Sequence, residues 1–213
     1  MLKLMVLGRR RNDVSHDELV NHWQEAHMPA VIKHVQPDRY RVTFFDEGEH
    51  VPFDGMASLW FSDTERAKRW YTTADMVTEL EDGFFEMTDK RPVVLVCEEH
   101  VIVDGAIPDG ATKVTGLVRR KAEADQTTFY QSWMDDHAPN VAETLAATPG
   151  GLRYVVSHAT LGGQSPEYAG LAEVYYDGNQ AAQAHMKALG PDRFLKFAEP
   201  AGFLSGYEVV GID

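Results

Sequence analysis

Two histidines pose the chemical question. Imidazole is the side chain best suited to moving protons near neutral pH. His27 lies in the stretch Val20 to Val31, VNHWQEAHMPAV, which returns 110 residues later as Tyr130 to Val141, YQSWMDDHAPNV, carrying His137. At that offset Trp23 matches Trp133, Pro29 matches Pro139 and Val31 matches Val141. Each histidine follows its tryptophan by four residues, so on a helix the two rings share a face and can border one pocket. Two readings stand side by side. Either the histidines are general acid-base groups, or they cap the helix and bond a carbonyl freed where Pro29 or Pro139 interrupts the ladder.

Other side chains could complete such a site. Tyr40 and Tyr154 each follow an arginine at the start of a strand-like run, and a phenol there can donate to a carbonyl or enolate oxygen or to a backbone carbonyl. Trp23 and Trp133 serve as core anchors or as ligand platforms. Arg10 and Arg120, at the ends of matching runs, can clamp a substrate carboxylate or pair at the surface with neighbouring acids. His158 ends the run YVVSH where the first half has Phe44 or Phe45. A polar residue in an otherwise aromatic place suggests that one half has specialised, so the expected pocket is in the second half, with His137, Tyr154 and His158. HExxH, paired CxxC, Walker and GxGxxG motifs are missing, so no metal or nucleotide site is expected. His22 and His27, five residues apart, are not expected to share a helix face.

The elements that must position these groups repeat as well. Leu2 to Leu7 reads as a buried strand. Ser15 and Glu18 have capping-box spacing, and the helix they open should end or jog at His27-Met28, before Pro29. Arg39 to Asp46 and Gly55 to Phe61 read as strands, Asp63 caps a helix over Ala67, Trp70 and Tyr71, a short helix is expected near Met76 to Leu80, and Pro92 to Val96 is a strand. After an acidic, glycine-containing stretch the order returns. Thr112 to Val118, Gly151 to Ala159, Tyr168 to Tyr176 and Gly206 to Gly211 are strands, and helices start at Asp125 and Asn179. The expectation is two βαββαβ repeats, residues 1–103 and 112–213, joined by 104–111. Each would give a four-stranded antiparallel sheet with both helices on one face. The uncovered faces would then meet in a barrel.

Composition narrows the partners. A formal net charge of -13 over 213 residues gives nucleic acid or anionic lipid little to hold. No apolar run reaches spanning length, the start MLKLMVLGRRR reverses the order of a secretory leader, and a cytoplasmic protein is expected. The single cysteine, Cys97, lies in a strand-like run and reads as a buried thiol.

A strand ending Arg-Arg, a helix ending Trp-x-x-x-His-x-Pro, then Arg-Tyr and a strand, found twice, resembles the EthD family of the dimeric α/β-barrel superfamily. The resemblance implies an α+β fold in which two ferredoxin-like units, here in one chain, join their sheets into a barrel. It also implies auxiliary proteins of ether degradation, or decarboxylase-like and dehydratase-like enzymes of aromatic polyketide pathways. Wider relatives include cofactor-free monooxygenases, cyclases and isomerases, and haem-binding peroxidases. The function expected is therefore a cofactor-free lyase, cyclase or isomerase acting on a small hydrophobic or aromatic oxygenated molecule. A haem-dependent oxidoreductase and a non-catalytic binder of a hydrophobic intermediate are the alternatives. Exposed sheet edges would permit a homodimer.

Overall fold

The computed structural model describes residues 1–48, 51–72, 80, 82–89, 92–159 and 167–213. The fold is mixed α+β. The strands follow the hydrogen-bonded order β1-β3-β2-β8-β5-β7-β6-β4 in a closed antiparallel barrel, with β1 Leu2–Gly8, β2 Arg39–Phe45, β3 Gly55–Phe61, β4 Val93–Val103, β5 Thr112–Arg120, β6 Gly151–Ala159, β7 Gly170–Tyr176 and β8 Ala198–Ile212. Two compact units divide the chain. One holds Met1–Cys97 and Glu208–Asp213, the other Glu98–Tyr207, so the ends of the long strands β4 and β8 belong to different units from their beginnings.

In the first unit β1 pairs antiparallel with β3 and β4, and β3 pairs with β2. Strand alternation sends Leu4, Tyr40, Val42, Phe44, Ala57 and Leu59 towards one buried cluster with Leu19, Trp23 and Val31 from the first helical segment. That segment begins at α1, His16–His22. The capping box is present, with Glu18 N–H donating to Ser15 Oγ at 3.2 Å and Ser15 N–H donating to Glu18 Oε2 at 2.8 Å. The helix does not end at His27-Met28. It widens into a π turn at Trp23–His27, where Met28 N–H reaches back five residues to the Trp23 carbonyl, and then continues as α2, Met28–His34. Pro29 explains the form of the jog. A proline ring clashes with the carbonyl four residues back and offers no N–H, and the wider turn accommodates both defects without breaking the helix. Asp63 accepts from Glu65 and Arg66 N–H ahead of α3, Thr64–Thr72. The helix expected near Met76 to Leu80 falls, apart from Leu80, outside the described residues.

The second unit repeats the element order. β5 pairs with β7 and β8, and β7 pairs with β6. Asp125 accepts from Thr128 N–H at 2.9 Å and opens α4, Gln126–Ser132. A π turn at Trp133–His137 and α5, Ala138–Ala146, follow, and α6 is Asn179–Ala188. Phe129, Trp133, Val141 and Leu145 pack with Tyr154, Val156 and Tyr176.

Three strands are longer than the sequence suggests. β4 runs to Val103, β5 runs to Arg120, and β8 begins eight residues before Gly206. Glycines and the polar pair Glu98-Glu99 mask strand character in local pattern, but cross-strand pairing outweighs intrinsic preference. Among the described residues no helix is long and apolar enough to cross a membrane.

Candidate active site

The helix-end histidines do not cap their helices. His27 Nδ1 lies 2.6 Å from Asp82 Oδ2, and His137 Nδ1 lies 2.7 Å from Asp192 Oδ2, each pair separated by 55 residues. In both units the other aspartate oxygen accepts the N–H of a phenylalanine two residues on, Phe84 or Phe194, at 3.1 Å. Those phenylalanines lie in 3-10 turns at Phe84–Glu86 and Arg193–Lys196. Their rings stack on the imidazoles, at 3.9 Å between centroids for His27 and Phe84 and 4.8 Å for His137 and Phe194. A carboxylate is an acceptor only, so Nδ1 must donate, which leaves Nε2 as the free acceptor of a neutral ring. A histidine oriented in this way is suited to general-base work.

Burial pulls the Asp82 carboxyl upwards, but the bond and charge of His27 and the Phe84 N–H outweigh it and hold the group below the ordinary range. Asp192 shows the same balance, with Asn140 and His137 as its chief partners. Asn140 Nδ2 donates to Asp192 Oδ2 at 2.8 Å.

The first unit places an apolar cavity of about 40 Å³ beside its histidine, lined among others by Leu59, Trp70 and Phe84 together with Trp23, His27 and Tyr40. Trp23 and Tyr40 are 1% and 0% exposed. Neither Trp23 Nε1 nor Tyr40 Oη has a partner within hydrogen-bond geometry, although the nearby indole N–H offsets part of the effect of burial on the phenol. Burial pushes the Tyr40 hydroxyl well above its ordinary range, so it stays protonated and remains a donor. In the second unit the equivalent groups meet, with Trp133 Nε1 donating to Tyr154 Oη at 3.5 Å.

The remaining expected site residues disperse. Arg10 binds Asp54 through its guanidinium and reaches Glu47 Oε1 at 2.8 Å, and Arg120 donates to the Ala124 carbonyl. Both are occupied in local structure. His158 is 3% exposed and lies against Tyr130 at 4.3 Å, His100 at 4.9 Å and Trp133 at 5.1 Å. Burial, with the charge of His100, lowers its pKa to about 3, and its Nε2 has no partner. His137 touches Phe194, not His158, so Trp133 and Phe194 lie between the two histidines.

The sequence reading missed Asp82 and Asp192. Their signal was present: Asp82-Gly-Phe84 and Asp192-Arg-Phe194 keep the same 110-residue offset as the histidines. It also separated His22 from His27. At 3.6 residues per turn five positions put side chains about 140° apart, but the π turn between them adds a residue to the coil, and both rings stack on Phe84. Among the described residues no group of three or more histidine, cysteine, aspartate or glutamate side chains could hold a metal ion.

Two α+β units, each with a His-Asp pair and a buried tryptophan and tyrosine, define the class. Residues 11–90 match the EthD domain family, which meets the resemblance carried by the Trp-x-x-x-His-x-Pro element of the first unit. The whole chain is similar in structure to an anthrone oxidase-like protein, with 15% identity, TM-score 0.64, and coverage of 100% of this chain and 94% of that one. It is also similar to a putative monooxygenase from Lactobacillus acidophilus, with 11% identity, TM-score 0.54, and coverage of 99% and 93%. A chlorite dismutase from Candidatus Nitrospira defluvii aligns at 10% identity and TM-score 0.63 over 98% and 91%. At such identities the likeness is one of fold. No curated protein matches the chain in sequence.

The haem implied by wider relatives finds a partial fit. His27, with Nδ1 on a carboxylate, has the electronic character of an axial ligand, but about 40 Å³ beside it is far below the roughly 300 Å³ or more of ligand pockets. As arranged, the first-unit cavity does not accommodate a porphyrin.

Proposed function

We propose that the first unit holds a general acid-base site for a small, apolar, oxygenated molecule, and that the chain is a lyase, cyclase or isomerase working through an enolate. His27, oriented by Asp82, takes a proton from carbon next to a carbonyl. The electron pair moves to the oxygen, where the Tyr40 hydroxyl and the Trp23 N–H receive the developing charge. The proton then returns from His27 to another carbon or to a leaving group. The single observation that carries this reading is the pair of buried donors without partners in the wall of an apolar cavity beside a carboxylate-paired histidine. Buried polar groups left unbonded cost stability, and a ligand oxygen would satisfy both.

The cavity as it stands admits a few atoms, so a ring-sized ligand has to displace its lining side chains. The second-unit trio His137, Tyr154 and His158 is the weaker location, because its tyrosine already accepts from Trp133. The units themselves we take as repeats of one βαββαβ ancestor, residues 1–103 and 112–213.

The test is proton exchange into deuterated water at carbon next to the carbonyl of apolar aromatic ketones, followed by NMR. His27→Ala should slow exchange about 10²–10⁴-fold and Tyr40→Phe about 10²–10³-fold. Binding of the ketone with no exchange above buffer would favour the non-catalytic binder, and neither binding nor exchange would remove the reading.

A further inference from the structure

The first unit contains a third titratable ring that the mechanism above does not use. His22 ends α1, immediately before the π turn, and its ring is near parallel to Phe84, at 6.5 Å between centroids and 15° between planes. Phe84 carries His27 on its ring at 3.9 Å and 14°. His22 Nε2 is buried and has no hydrogen-bond partner, although the residue as a whole is partly exposed. It does not line the cavity. The matching position of the second unit is Ser132, whose hydroxyl donates to the Phe129 carbonyl at 3.1 Å, so the extra imidazole is a property of the first unit.

We propose that His22 is a second proton acceptor of the His27 site, competing with His27 for the single negative charge of Asp82. Three observations carry this. The π turn brings residues five apart onto one aromatic ring. The buried Nε2 is a polar atom with unused capacity. The third is the carboxylate itself, which feels two histidines, His27 through a hydrogen bond and His22 through space. On its own helix the charged residues at helical spacing from His22 are Glu18 and Glu25, and Glu18 is held by Ser15, its Oε2 2.7 Å from Ser15 Oγ. His22, a positioning residue, sets how often His27 is neutral and able to accept a proton.

The inference rests on His27 as the proton-moving group, but its test needs no turnover. Full-length protein labelled with nitrogen-15 in histidine is titrated and the imidazole signals followed by NMR. His22 and His27 should each titrate in two steps, as coupled sites do. In His22→Ser, the residue of the second unit, the His27 curve should collapse to one step and move to higher pH, because a competing positive charge has gone. His22→Gln, closer in volume, should give the same curve if the serine variant folds poorly. Single-step titration of both rings in the wild type, or a His27 curve unchanged by either substitution, would overturn the proposal. Ketone exchange measured on the same samples separates the two claims, since coupled titration without exchange sinks the enzymatic reading and leaves His22 coupled, while exchange without coupling does the reverse.

Discussion

His27 Nδ1 meets Asp82 Oδ2 at 2.6 Å under the stacked ring of Phe84, and the pair is more enclosed than its counterpart. The side chains of His27 and Asp82 are 8% and 9% exposed, against 20% and 14% for His137 and Asp192. Removing one partner of a buried hydrogen-bonded pair leaves the other unsatisfied, at a cost of about 1–3 kcal/mol. Asp82→Asn should therefore lower the urea midpoint more than Asp192→Asn, the m-value staying constant in both. Equal losses would mean that enclosure does not set the strength of these pairs.

Tyr40 tests the cost of an unpaired hydroxyl. With no partner for its Oη, Tyr40→Phe should leave stability unchanged or raise it by up to about 1 kcal/mol, while ketone exchange falls. Tyr154→Phe removes the acceptor of Trp133 Nε1 and should not stabilise. Thermal unfolding of both variants, beside exchange rates, checks the contrast. A stability loss in Tyr40→Phe comparable to that in Tyr154→Phe would point to a structural phenol.

His158 makes the chain sensitive to acid. Its pKa is near 3 in the folded protein because burial opposes the charged ring, against about 6.5 in an unfolded chain. The unfolded state thus binds the proton first. The contribution is complete above about pH 6.5 and is lost progressively towards pH 3, with a slope of up to about 1.4 kcal/mol per pH unit. His185, 1% exposed and lowered in the same direction by burial against its bond to the Val141 carbonyl, adds to the trend. His158→Phe, which installs the aromatic side chain of the first unit, should flatten the dependence of unfolding free energy on pH between about 6.5 and 4.5. An unchanged slope would assign the acid sensitivity elsewhere.

The tryptophans rest on glycines. A Cβ at Gly55 would stand 2.7 Å from Trp23 Cζ3 and 3.2 Å from the Thr43 carbonyl, whereas one at Gly8 would find Trp23 at 3.6 Å, ordinary contact. Gly55→Ala should cost about 1–3 kcal/mol through forced displacement of the indole and should disturb ligand binding at the cavity that Trp23 lines. Gly8→Ala should be tolerated. Denaturant unfolding of the two variants decides whether the indole is fixed by the strand beneath it.

Much of this was legible in the chain. The 110-residue echo of Trp, His and Pro, the capping box at Ser15 and the alternation of the strands are local patterns, and local patterns fix which elements form and which faces are apolar. They therefore delivered the α+β fold and the repeated helix that carries Trp, His and Pro. Contacts between distant segments were not legible. The aspartates reach the histidines from 55 residues away, and only the folded chain shows that the imidazoles pair with carboxylates in place of helix carbonyls. Arg10 and Arg120 carried the right chemistry for a substrate clamp, yet the loops around them supplied nearer acceptors in Asp54 and Ala124. The π turns gather His22 and His27 on one ring, against the spacing rule of an ideal helix. The two units then differ in how an indole meets a phenol, and that contact, set by packing, leaves unbonded donors beside the first-unit cavity and a hydrogen-bonded pair in the second.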